Sequence, residues 1–92
     1  MKIRIHYTTQ LKSVLGIDSE EIEFPPGSIL LDLLRQLKQM HPLEVEQYIF
    51  SSQDVLLPGV LLCQGDKHAG HDLSVPLQDG EEITLLSVVS GG

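Results

Sequence analysis

The feature that most limits how this chain can fold is a change of hydrophobic period within its first 41 residues. Residues 2–7 alternate strictly, with Ile3, Ile5 and Tyr7 on one face and Lys2, Arg4 and His6 on the other; this is the period-2 pattern of a half-buried strand. Glu21-Ile22-Glu23-Phe24 alternates again and stops at Pro25-Pro26-Gly27. Between the two, Thr8–Ser19 is polar and carries Gly16, so it reads as the turn region of an antiparallel hairpin. The period then switches. Leu30, Leu33, Leu34 and Leu37 fall at i, i+3, i+4 and i+7, one face of a helix. Ser28 is placed to cap that helix, Asp32 early and Arg35 and Lys38 late complement its dipole, and Pro42 drives His41 out of helical geometry. The expected helix covers about residues 28–41, and the hairpin's inner face is what its leucines must cover.

Further along, residues 43–59 fit a helical turn or two around Val45, Tyr48 and Ile49 as well as they fit a loop. Val60–Cys63 is a compact apolar run ending at Gln64-Gly65, expected as a buried strand and turn. Asp66–Pro76 is polar and irregular, Asp79-Gly80 is a turn signal, and Ile83–Val89 is a β-rich, mostly apolar run before Ser90-Gly91-Gly92. The order strand, strand, helix, strand, strand describes an α+β domain with one main helix packed across one face of a sheet. Ninety-two residues suffice for one such domain and not for two. Residues 1–92 are therefore expected to form a single domain with a flexible tail from about 87 to 92.

Charge and cysteine content narrow the function classes. Six Lys+Arg against thirteen Asp+Glu leave a net charge of −7, which repels phosphate backbones, argues against nucleic-acid binding and suits a partner with a basic docking face. The lone Cys63 has no disulfide partner in the chain and fits no Cys/His zinc pattern; at the end of an apolar run it is expected to be a small buried side chain. The start lacks the apolar stretch of a signal peptide, and Pro58 and Gly59 interrupt the longest apolar candidate for a membrane span. A cytoplasmic protein with no membrane partner is expected. Asp66, His68, His71 and Asp72 lie within seven positions, but a glycine-containing loop lacks the rigid spacing of a metal site, so no metal is expected. His6 and His41 read as an outward strand residue and a helix-end residue. Glu20, Glu21 and Glu23, with Asp79, Glu81 and Glu82, read as solvated acidic faces.

The ending is the feature that points to chemistry. Glycine usage puts Gly-Gly at the end of about 0.5% of chains by chance. Residues without side chains can thread a narrow cleft, and what this tail would present there is the α-carboxylate of Gly92. A carboxylate is a poor acyl donor until it is activated, for instance as an acyl-adenylate. No GxxxxGK[ST], GxGxxG or GxSxG occurs in the chain, so the activating chemistry is expected to belong to a partner. The chain would be that partner's substrate and not itself an enzyme.

These residues resemble a known group, the β-grasp, ubiquitin-like sulfur carriers of the MoaD/ThiS type. The resemblance is carried by Val60-Leu61-Leu62-Cys63-Gln64-Gly65, by Pro76-Leu77-Gln78-Asp79-Gly80-Glu81-Glu82-Ile83, by the ending Val89-Ser90-Gly91-Gly92 and by the helix at Ser28–Pro42. It implies a mixed β-grasp sheet with one helix across it. It also implies a ubiquitin-activating-type adenylating enzyme that uses ATP on Gly92, a sulfur donor that converts the acyl-adenylate to a thiocarboxylate, and a synthase large subunit that accepts the sulfur. The chain itself would bind no cofactor. Its length favours the molybdopterin branch over the thiamine branch. Ser90 and Gly91 would complete the threading tail, and Leu86, Val88 and Val89 would contact the partner. Leu86-Ser87-Val88 stands where the family often has Phe-Pro-Pro, with Leu86 in the aromatic's place, so the partner's identity is the element this departure affects. Two other readings stay open: a ubiquitin-like modifier conjugated to proteins through Gly92, and a plain β-grasp interaction domain.

Overall fold

Ile3, Ile5 and Tyr7 are buried, as their alternation requires, and strand β1 (Lys2–Tyr7) is an inner strand of a five-stranded sheet in the computed structural model, which describes residues 1–68, 70 and 72–87. Strand β2 (Ser19–Glu23) runs antiparallel to β1, with Ile22 opposite Ile3 and Glu21 opposite Arg4. The connection between them is not the turn region expected over Thr8–Ser19. It contains helix α1 (Gln10–Leu15), which buries Leu11 completely and closes on Gly16 at φ 77, whose N–H donates to the Lys12 carbonyl. Leu11, Val14 and Leu15 are the apolar residues of this helix, too short a series for periodicity to register.

Helix α2 (Leu30–Met40) buries Leu30, Leu33, Leu34 and Leu37, the four residues of the predicted face. Its start differs from the expectation. Ser28 does not cap the helix: its hydroxyl donates to Pro25 O at 2.7 Å. The free amides of the first turn are taken up by a later loop, with Leu30 N–H donating to Val75 O (3.0 Å) and Leu31 N–H to Leu73 O (2.9 Å), while the Asp32 carboxylate accepts Ile29 N–H at 2.8 Å. A helix start needs such acceptors, and here tertiary structure supplies them. Pro42 opens a further helix, α3 (Pro42–Tyr48), with proline where a missing N–H costs nothing. Val45 and Ile49 from this region enter the core.

Strands β3 (Val60–Gln64), β4 (Lys67–His68) and β5 (Glu82–Ser87) complete the sheet in the order β2-β1-β5-β3-β4. β5 is central, parallel to β1 and antiparallel to β3. A mixed sheet with α2 across one face is the expected α+β, β-grasp arrangement. Val60, Leu62, Ile83 and Leu85 join β1 and α2 in one core cluster. Leu61, Cys63, Thr84 and Leu86 share the opposite face with Lys2, Arg4 and His6, because side chains alternate along each strand. Cys63 is thus half-buried on that face and not in the core. The Asp79-Gly80 turn is pinned to the start of β1: Lys2 N–H donates to Asp79 Oδ1 and Gly80 N–H to Lys2 O, both at 2.9 Å. Among the described residues no helix is long and apolar enough to cross a membrane.

One polar group enters the inner side of the sheet. Glu20, expected on a solvated face, has a side chain only 16% exposed; Tyr7 Oη donates to its Oε2 at 2.6 Å, and His41 Nε2 lies 3.0 Å from the same oxygen. Burial first, then the hydrogen bond to Glu20 and its charge, push the Tyr7 phenol well above the usual tyrosine range. His41 is at the helix end, as expected, but partnered.

Candidate functional site

Because β5 is central, its residues lie between β1 and β3 up to Ser87. Ser87, placed in the tail by the sequence reading, is the last residue of β5 and pairs with Val60. Val88, Val89, Ser90, Gly91 and Gly92, which were expected to carry the chemistry, lie outside the described residues, as does His71. What the structure defines is the root of that segment.

On the β1 side the root meets two threonines. Thr8 N–H donates to Leu85 O at 3.2 Å and Thr8 Oγ1 lies 3.4 Å from the same carbonyl. Thr9 Oγ1 lies 3.2 Å from Ser87 O and 3.4 Å from Ser87 N. Thr9 holds these contacts at φ 55 and ψ −133, a conformation that a β-branched residue adopts only under constraint. An open groove of about 420 Å³ lies alongside, lined by His6, Thr8, Thr9, Lys12, Asp18 and Ser19. Neither threonine was singled out from the sequence, because polar residues after a strand look like any turn and a positive φ on threonine leaves no signal.

On the open face Leu86 lies directly opposite Leu61, one pair along from Thr84 and Cys63. Both leucines are half-buried. Leu86 thus points away from the buried Ile83 and Leu85, as alternation along β5 requires. The pair is flanked by charge: His6 Nε2 lies 2.6 Å from Glu82 Oε1, and Arg4 reaches Glu21 at 3.4 Å. Leu61 was not expected to contribute, since a compact apolar run reads as wholly buried.

Elsewhere the motif residues act structurally. Gln64 Nε2 donates to Pro76 O (3.2 Å) and lies as close to Glu81 Oε1, tying β3 to the loop before β5. Asp72 accepts hydrogen bonds from Ser74 Oγ (2.6 Å) and Ser74 N–H (3.0 Å), which hold its carboxyl below the usual range. Among the described residues no three His, Cys, Asp or Glu side chains are grouped to hold a metal ion.

Comparison with known proteins agrees with this architecture. A molybdopterin synthase sulfur carrier subunit of Chlamydomonas reinhardtii is 23% identical over 92 residues, covering both chains completely. SAMP1 from Haloferax volcanii, a small archaeal modifier protein, superposes with a TM-score of 0.86 at 22% identity over 100% of both chains. A complex of subunits 1 and 2 of the molybdopterin-converting factor from Helicobacter pylori contains a chain matched at a TM-score of 0.64, with 22% identity and 100% coverage of each. The structural likenesses establish the ubiquitin-like β-grasp fold. The ThiS family model matches residues 5–92, including both terminal glycines, and the chain accordingly belongs to the ThiS family, the small ubiquitin-like sulfur carriers of the MoaD/ThiS type.

Proposed function

We propose that the chain carries sulfur on the carboxylate of Gly92 for cofactor biosynthesis, with a molybdopterin-type acceptor. The observation that supports this most is the family match, whose span of residues 5–92 takes in Gly91 and Gly92. It is supported further by the central place of β5, whose residue Ser87 is five residues before Gly92. The full-length match to a molybdopterin synthase sulfur carrier subunit favours that branch.

In this reading a ubiquitin-activating-type adenylating enzyme binds ATP as its co-substrate. The Gly92 carboxylate, ionised at neutral pH, attacks the α-phosphate, pyrophosphate leaves and an acyl-adenylate forms. Hydrosulfide then forms the C–S bond as the C–O bond to AMP breaks, leaving the thiocarboxylate. A persulfide donor needs a thiol to release the acyl group by reducing the resulting disulfide. A synthase large subunit receives the sulfur. Leu61 and Leu86 offer the apolar contact for these partners, with Val88 and Val89 continuing it, while Ser90 and Gly91 thread the cleft. The chain works as substrate and carrier in the cytoplasm and binds no cofactor of its own.

Deleting Gly92 tests the proposal. ATP–pyrophosphate exchange with the adenylating enzyme should vanish while the thermal unfolding midpoint stays within about 2 °C, since the deletion removes nothing from the core. Undiminished exchange by the shortened chain would sink it. Structural likeness to a small archaeal modifier protein favours a second use of the same carboxylate, conjugation to lysines. Isopeptide adducts that form in place of a thiocarboxylate mass shift at Gly92 would select that reading.

A further inference from the structure

β1 ends at Tyr7 and the chain turns at once into α1. In an extended strand a residue's N–H and C=O project to the same side, and those of Ser87 project toward β1, where the strand backbone has ended. The Thr9 hydroxyl takes its place, lying 3.2 Å from Ser87 O and 3.4 Å from Ser87 N, which donates to it. Thr8 O is also 2.7 Å from that hydroxyl, so its single proton goes to one carbonyl at a time while its lone pairs remain open to the Ser87 amide. Thr9 is exposed, so the core does not require a threonine here. Its backbone, at φ 55, suits glycine better. A side chain that the core does not need sits in a strained conformation with its hydroxyl on the last described peptide before the reacting segment.

We propose that Thr9 is a positioning residue for activation at Gly92. Its hydroxyl anchors the Ser87 peptide, so that residues 88–92 start from a fixed point and a fixed direction. With the anchor removed, Thr8 still holds Leu85 from the β1 side but the Ser87 peptide loses its contact there, and ordering the segment beyond it on the adenylating enzyme costs more at the moment of binding. The deficit appears in KM for the carrier; kcat, which reports chains already seated, stays near its original value. This inference rests on the carrier reading.

Thr9→Ser, Thr9→Val and Thr9→Gly separate the hydroxyl from the strain. In ATP–pyrophosphate exchange with the adenylating enzyme encoded in the same genome, Thr9→Ser should stay within about twofold of the original chain. Thr9→Val and Thr9→Gly should raise KM by about fivefold or more with kcat within about twofold. Thr9→Gly should meanwhile hold or raise the unfolding temperature, because it relieves the backbone. In amide hydrogen exchange on the isolated chain, Ser87 should exchange about tenfold faster in the Val and Gly variants but not in Ser. An activity order that follows unfolding temperature in place of the hydroxyl, or a Val variant equal to the original, overturns the proposal. If the original chain supports no exchange with the adenylating enzyme, the carrier reading fails. The Ser87 amide comparison then decides the anchor by itself: equal rates in all four chains reject it.

Discussion

Glu20 is a carboxylate under partial cover, and an unpartnered polar group there would be costly. Tyr7 and His41 both reach its Oε2, one from β1 and one from the α2–α3 junction, so three elements meet on one oxygen. Removing the phenol hydroxyl in Tyr7→Phe should cost about 2 kcal/mol of unfolding free energy, the scale of a hydrogen bond to a charged group. The pH dependence follows from the raised phenol. An unfolded tyrosine ionises near pH 10, while folded Tyr7 holds its proton, so the contribution is fully present below about pH 10 and fades above it. Urea melts between pH 8 and 11 should show the original chain losing stability faster than Tyr7→Phe above pH 10; parallel curves would mean the phenol is not held by this network. The sequence reading treated Glu20, Glu21 and Glu23 alike, although parity with Ile22 and Phe24 sets Glu20 on the inner side, opposite Ile5; what only the tertiary structure supplies is its two partners, Tyr7 and His41.

At the scale of elements, what the sequence showed depended on the length of the pattern. Four leucines over eight residues identify α2 without ambiguity, whereas α1 rests on one buried leucine and a glycine stop. That difference in legibility is not one of energetic weight. Leu11 is as fully buried as Leu34, so Leu11→Ala and Leu34→Ala should each lower the unfolding free energy by about 3 kcal/mol. Chemical denaturation of the two variants checks this, and a loss below about 1 kcal/mol for Leu11→Ala would make α1 peripheral to the core. The α2 start teaches the same lesson. Ser28 has the right chemistry for a cap, but the carbonyls of Leu73 and Val75 reach the helix amides instead, and a residue between Pro25 and the helix finds its partner in the turn.

For the whole molecule, the net charge of −7 acts at distances where no single contact does. Glu21 and Glu23 on β2 and Glu82 on β5 share the open face with the Leu61–Leu86 pair. An acidic domain approaching a basic cleft is steered by long-range attraction that salt screens. The association rate with the adenylating enzyme of the proposed function should therefore fall about tenfold as ionic strength rises from about 0.05 to 0.5 M, with the dissociation rate little changed. Stopped-flow binding would measure it, and a salt-independent association rate would assign the acidity to solubility alone.

The sequence by itself determined what depends on neighbours along the chain. β1 follows from alternation, the α2 face from its 3.6-residue period, the Asp79-Gly80 turn from backbone preference, and the ThiS-type ending from its glycines. The candidate site was legible in part: parity along one strand suffices to set Leu86 on the face away from Ile83 and Leu85, while Thr8, Thr9 and Leu61 went unnoticed. Tertiary structure alone decided that β5 inserts between β1 and β3, and everything at the root of the tail follows from that insertion. Thr9 and Ser87 are 78 positions apart, and Leu61 and Leu86 meet only across a strand pair. Local patterns record which way a side chain points; only the pairing of distant strands records what stands opposite it.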